Sequence, residues 1–207
     1  GLAADHFAYC WGNNEHGQLG DGSLSPRPAP GPPVGAGLPL ATLARSNSLT
    51  HACGLTSAGS AYCWGFNYFG QLGDGSTFDR TGPVTVATSL TFVELATGPF
   101  HTCGRTANHE VHCWGALPGG SATSTTPVLI ARQPPLAAIT GGQSTACVLT
   151  TAGEARCWGF NGYGAIGDGT AIDRTTPTTV GGGLRFAGLS EGSLHVCGVT
   201  HDGRMYC

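Results

Sequence analysis

The chain has 207 residues, 35 of them glycine and 13 proline, and only 10% are charged. Its nine basic residues are all arginine, against 12 acidic ones, for a net charge of -3 with no basic cluster; this excludes a nucleic-acid partner, because binding phosphates requires concentrated positive charge. No apolar run approaches the roughly twenty residues of a membrane helix, so the chain is not expected to be membrane-spanning.

From the amino end, GLAADHFAYCWG leads into the first of four Cys-Trp-Gly strings, at Cys10, Cys63, Cys113 and Cys157. Three of them continue as CWGxNxxGxxGDG. A repeat of this kind cannot bury its apolar face alone, so the fold is an array of similar units. Cysteines ending the H-x-C or T-x-C segments, Cys53, Cys103, Cys147 and Cys197, set the period at 50, 44 and 50 residues. The units are then 1–53, 54–103, 104–147, 148–197 and a partial 198–207, all within a single propeller segment, 1–207.

Each marker cysteine has another ten positions on: Cys63, Cys113, Cys157 and Cys207. The intervening residues, as in CGLTSAGSAYC, alternate about a small turn and predict a β-hairpin. Opposed positions on antiparallel strands lie about 4.5 to 5.5 Å apart, within reach of a disulfide. Four intrahairpin disulfides are therefore expected, with buried thiols as the alternative. Such bonds require an oxidising compartment, so the expected location is secreted, periplasmic or cell surface. The partner of Cys10 would precede Gly1, and Cys207 stops where other hairpins continue into Trp-Gly. The expectation is a segment of a longer chain, the alternative being a bond from Cys10 to another molecule.

Between Cys53 and Cys103, CGLT and AYCWG form the hairpin, FNYFGQLGDGSTFDRTG is a loop, and PVTV with FVELAT is expected to form a second strand pair. Four short strands in about fifty residues predict an all-β fold, a β-propeller of four-stranded blades. Five hairpins, counting Gly1 to Gly12 and His195 to Cys207, and four Pro-led strand pairs make about four blades plus partial ends.

Sites of chemistry are sparse. His51, His101 and His195 stand two residues before cysteines, but unit three has Thr145 there, and one widely spaced pair per unit does not make a zinc site. Asp21, Asp74 and Asp168 lie in Gly-Asp-Gly turns, each essentially alone before Asp79 or Asp173, which fits turn capping better than calcium. Arg27, Arg80 and Arg174 recur sixteen residues after a tryptophan, as an ion pair or carbonyl clamp would. The segment His109-Glu110-Val111-His112 falls in a hairpin turn, and no nucleophile motif or phosphate loop is present. No enzyme, cofactor or metal is expected.

The strings CWGNNEHGQLGDGS, CWGFNYFGQLGDGSTFDRTGPV and CWGFNGYGAIGDGTAIDRTTP closely resemble repeats of the regulator of chromosome condensation family. The resemblance implies a seven-bladed propeller of which this chain is part, acting by binding a protein. WGALPGGSATSTTPV departs from it, lacking the Asn and the Gly-Asp-Gly turn, so one blade face is expected to be notched. Nucleotide exchange on a small nuclear GTPase, suggested by the founding member, conflicts with the disulfides.

Packing explains what units share, so binding is sought where they differ. The candidates are Glu15, His16, Tyr68, Phe69, Phe78, Tyr163 and Ile172, with Leu24 taken as the equivalent of Phe78 and Ile172. Aromatic and apolar loop residues of this kind anchor protein interfaces. The reading is a non-catalytic scaffold binding a protein partner through its loops. The alternatives are a structural subunit engaged in self-assembly or joined by further blades, and a sugar-binding propeller.

Overall fold

A computed structural model describes residues 1–46 and 48–207. Apart from a short 3-10 turn at Val34–Ala36, its regular structure is all strand, in four sheets of a β-propeller. The first sheet orders β1 (Thr42–Leu43), β3 (His51–Leu55), β4 (Ala61–Gly65) and β5 (Arg80–Thr85). The second orders β2 (Arg45–Ser46), β6 (Glu94–Thr97), β7 (His101–Arg105), β8 (Glu110–Ala116) and β9 (Thr123–Arg132). The third is β10 (Leu136–Gly141), β11 (Thr145–Thr150), β12 (Ala155–Gly159) and β13 (Arg174–Thr179), and the fourth β14 (Phe186–Glu191), β15 (Val196–Thr200) and β16 (Met205–Tyr206). All pairings are antiparallel except β2 with β6.

Two strand expectations need correction. PVTV and FVELAT do not pair with each other: β5 completes one sheet against β4, placing Val84 opposite Cys63, while β6 opens the next sheet, placing Leu95 opposite Gly104. The chain crosses between blades at residues 86–93, because the unit cut out of the repeat is offset by one strand from the sheet. At the amino end, Gly1–Gly12 carries only isolated bridges such as Leu2 with Ala8 and Gly12 with Arg27, rather than a regular hairpin. A two-stranded ribbon with no further strand beside it is marginal.

The cysteines sit as their spacing requires. Cys53 faces Cys63, Cys103 faces Cys113 and Cys147 faces Cys157 across the two central strands of their sheets, with Cα atoms 4.1 Å apart, and Cys197 bonds Cys207 in the fourth sheet. Cys10 is a free, partly buried thiol whose pKa burial raises.

The core lies between sheets. Cys53, Leu55 and Leu72 of one blade pack with Leu95 and Trp114 of the next, and Cys103 and Val111 pack with Ile139 and Trp158. Trp64, Trp114 and Trp158 are wholly buried, whereas Trp11 is 52% exposed. Glycine permits the approach. Gly20 and Gly73 have φ of +70° and +73°, and a Cβ on either would fall within 2.8 Å of the indole of Trp64 or Trp114.

Each disulfide spans a separation of 10 residues, and removing one is expected to cost about 3 kcal/mol through the lost restraint on the unfolded chain. Urea denaturation of the C103S/C113S double variant against the oxidised parent measures this difference.

Candidate functional site

The loops that follow the Trp-Gly strands are built around a buried amide. Asn67, with no exposed surface, donates from Nδ2 to the carbonyls of Ser76 and Phe78, both at 3.1 Å, and accepts the Leu72 N–H at Oδ1. Asn14 and Asn161 repeat the pattern, reaching the carbonyls of Ser25 and Ile172. Ser25 is therefore the equivalent of Phe78 and Ile172, and Leu24 is not. One side chain closes a loop of more than ten residues without regular structure.

The Gly-Asp-Gly aspartates finish the turn. Oδ1 of Asp74 accepts from the Ser76 N–H and hydroxyl, and Oδ2 accepts from Arg80 Nε at 2.8 Å; Asp21 with Ser23 and Arg27, and Asp168 with Thr170 and Arg174, do the same. Burial works against ionisation of Asp21, but bonds from Ser23 and Arg27 outweigh it and bring the pKa to about 2, against 3.8. The Thr170 hydroxyl leads the lowering at Asp168, also to about 2. Among the described residues no three His, Cys, Asp or Glu side chains converge as a metal site needs.

On this frame the loops present aromatic rings. His16 lies 4.7 Å from Phe66, Tyr68 meets Phe69 edge-on at 5.1 Å, and Phe69 meets Phe100 at 5.2 Å. The chain of rings crosses three successive blades. Of the residues singled out from sequence, His16, Tyr68 and Phe69 thus come together. Tyr163 pairs with Phe160 at 5.8 Å in a separate cluster. Glu15, Phe78 and Ile172 are exposed and join no ring contact, Phe78 at 72% and Ile172 at 62%. Phe66, Phe100 and Phe160 went unrecognised as site residues; for Phe66 and Phe160 the available signal was the CWGF shared by the strings at Cys63 and Cys157, and Phe100 lies outside that motif.

The short third loop opens a depression of about 490 Å³ between these clusters, lined by Phe100, His101, residues 116–121, Gln143, Ser144, Phe160 and Asp173. The expected notch is this feature. Beneath it runs a polar seam between blades. His51 Nε2 lies 3.0 Å from the Thr102 hydroxyl, which donates to the Gln71 carbonyl. Thr145, standing where other units have histidine, donates instead to Glu191 at 2.8 Å. Burial lowers His51 to a pKa of about 3 and His101 to about 4, against 6.5, while burial raises that of Glu191. His195 is exposed.

A family model for the Regulator of chromosome condensation (RCC1) repeat matches residues 5–54 and 58–104, and a second with the same description matches 137–165. The chain belongs to the RCC1 repeat family. Human probable E3 ubiquitin-protein ligase HERC3 is 40% identical over 87 residues, covering 41% of this chain and 8% of the ligase. The Ultraviolet-B receptor UVR8 of Arabidopsis thaliana is 36% identical over 86 residues, covering 38% of this chain and 18% of the receptor. Among solved structures, human WBSCR16 superposes with a TM-score of 0.84 at 21% identity, over 96% of this chain and 54% of that one. The entire ectodomain of the Physcomitrella patens receptor kinase CR4 superposes at 0.65 and 26% identity, over all of this chain and 47% of that one. These RCC1 repeats span about half the length of the solved relatives and under a fifth of the curated ones.

The seam histidines and the loop aspartates respond to acid in the same direction, while Glu191, whose pKa burial raises, opposes them in part. A neutral buried histidine binds fewer protons than its unfolded counterpart, so stability falls as pH drops below 6.5 and keeps falling to about 3. The aspartates stabilise above 3.8 and lose that contribution as pH falls towards 2. The melting temperature is therefore expected to fall from about pH 6.5 downward, and H101Q to flatten the stretch above pH 4. N161A, which strands the buried Ile166 N–H and the part-buried carbonyls of Thr170 and Ile172, is expected to lose about 1–3 kcal/mol in chemical denaturation.

Proposed function

We propose that this chain is a non-catalytic, extracellular or cell-surface scaffold that binds another protein through the loop face of its propeller. The observation that carries the reading is the ladder of rings from His16 through Phe66, Tyr68 and Phe69 to Phe100, continued past the depression by Phe160 and Tyr163. Tyr68 and Tyr163 are 69% and 75% exposed, and rigid amphipathic rings of this kind supply most of the energy at protein interfaces. The short glycine-rich turns that hold them are closed by buried amides, so little order has to be gained on binding.

Four disulfides support an oxidising location. The likeness to a receptor-kinase ectodomain agrees with that location, and the yeast RCC1 protein Prp20, solved bound to Kap60, is a propeller of this fold with a protein partner. Among the described residues Ser48 Oγ does lie 2.9 Å from His51 Nδ1, but that imidazole is buried, with its pKa lowered to about 3, so it is a poor base and a binding role is preferred to catalysis. A second reading, a subunit that assembles through its edges, draws on the exposed Trp11 and on an apolar groove of about 340 Å³ lined by Ile166, Val180, Phe186 and Leu189.

Partner capture from the extracellular fraction of the source, compared between the oxidised protein and a Y68S/F69S/Y163S variant, tests the reading. The expected result is a specific partner whose affinity drops by about a hundredfold or more in the variant while its disulfides and melting temperature are kept. Partners retained equally by both would turn the assignment toward edge assembly, which would appear as a mass rising with concentration in sedimentation.

A further inference from the structure

The loop junctions between blades are not equivalent. At the first, His16 reaches from one loop into the next: its Nδ1 lies 3.0 Å from Asp79 Oδ2 and its ring lies against Phe66. Asp79 is itself positioned by the Asn67 N–H, which donates to Oδ1 at 2.8 Å. An imidazole N–H is thus held between a carboxylate and an aromatic ring of the following blade.

At the third junction the same hosts are present without the guest. Phe160 occupies the place of Phe66, and Asp173 Oδ1 accepts the Asn161 N–H at 2.7 Å, as Asp79 does that of Asn67. Gly17 and Gly119 correspond, each lying against the backbone of the next blade, at Arg80 and Thr81 or at Arg174 and Thr175. The residue before Gly17 is His16, and the residue before Gly119 is Pro118, which carries no side-chain donor. Oδ2 of Asp173 has no partner among the described residues, and the space that a histidine would enter belongs to the 490 Å³ depression.

Beside the same space a buried imidazole keeps an unpaired nitrogen within the interface between blades. His101 is 1% exposed, and its Nε2 has no hydrogen-bond partner. The cause lies one blade on, where Thr102 supplies a hydroxyl to His51 but Ala146 stands in the corresponding place for His101. Burial keeps the ring neutral, and Nε2, shut off from solvent, is not offered to the depression.

We propose that this depression is a socket for an arginine side chain presented by a protein partner, its guanidinium donating to Asp173 Oδ2 between the rings of Phe100 and Phe160. Arginine fits because its planar fork offers several donors at once and stacks on aromatic faces, whereas lysine offers a point charge. The inference rests on the loop-face reading above and names the partner chemistry of its central depression. The junction between His16, Phe66 and Asp79 is the chain's own example of a nitrogen donor in that setting.

The probe is the blocked tripeptide acetyl-Gly-Arg-Gly-amide, titrated into the oxidised protein at pH 7 and followed by amide NMR, with the citrulline analogue as an uncharged isostere. Saturable shifts at Gly119 and Phe160 are expected with arginine, at least about tenfold weaker with citrulline. D173N keeps an acceptor for the Asn161 N–H and loses the charge, and P118H installs the histidine of the first junction. Either variant is expected to weaken arginine binding by about tenfold or more. No saturable shift, an equal response to citrulline, or indifference to both variants would overturn the proposal. A captured partner that depends on Tyr68 and Phe69 but binds D173N normally would refute the socket while leaving the loop-face reading intact.

Discussion

The arrangement depends on a tryptophan of one blade reaching the loop of the blade before it. Trp64 lies against Gly20 and Val34, and Trp114 against Gly73 and Val86, at distances that leave no room for a β-carbon on the glycine. Burial of these indoles sets the spacing between sheets and presses the Gly-Asp-Gly turns at Asp21 and Asp74 onto the next blade. The loop geometry follows from that spacing. Turns anchored beneath by indole and closed above by a buried asparagine have little freedom left, so their remaining side chains are displayed rather than folded back.

The loop face therefore consists of a fixed backbone carrying variable residues. Where the first loop spends His16 on the next blade's aspartate, the second places Phe69 against Phe100, and the third, with Pro118 at that position, sends no side-chain donor to Asp173. One repeat geometry thus gives a satisfied junction, an apolar junction and an open one. Beneath them, substitutions in the seam have the same character: Thr145 for histidine recruits Glu191, while Ala146 in place of threonine leaves an imidazole nitrogen without a partner.

Much of this was legible in the residues, and the failures have physical causes. A ten-residue cysteine spacing about a tight turn places two residues directly opposite, so the pairings followed from hairpin geometry alone. The notch followed from counting the residues of the third loop. Strand partners were misassigned because a periodic sequence does not say where the sheet boundary falls: PVTV and ELAT are neighbours in the chain but belong to different blades. Leu24 was matched to Phe78 by its apolar character, whereas the carbonyl bonded by the buried asparagine identifies Ser25. Asp173 and His101 were passed over because their significance lies in contacts with adjacent units, which a reading taken one unit at a time does not contain.

Every disulfide ties two neighbouring strands of one sheet, and none joins one sheet to another. Under a stretching load the two kinds of contact would respond differently. The interfaces between sheets rest on side-chain packing and hydrogen bonds and could peel apart in sequence, while the chain between bonded cysteines stays short-circuited. At roughly 3.5 Å per extended residue, each bond at a separation of 10 withholds about 35 Å of contour length. An oxidised array would yield in discrete steps shorter than its repeat length implies, and each released hairpin would keep its two central strands together as a template for recoil.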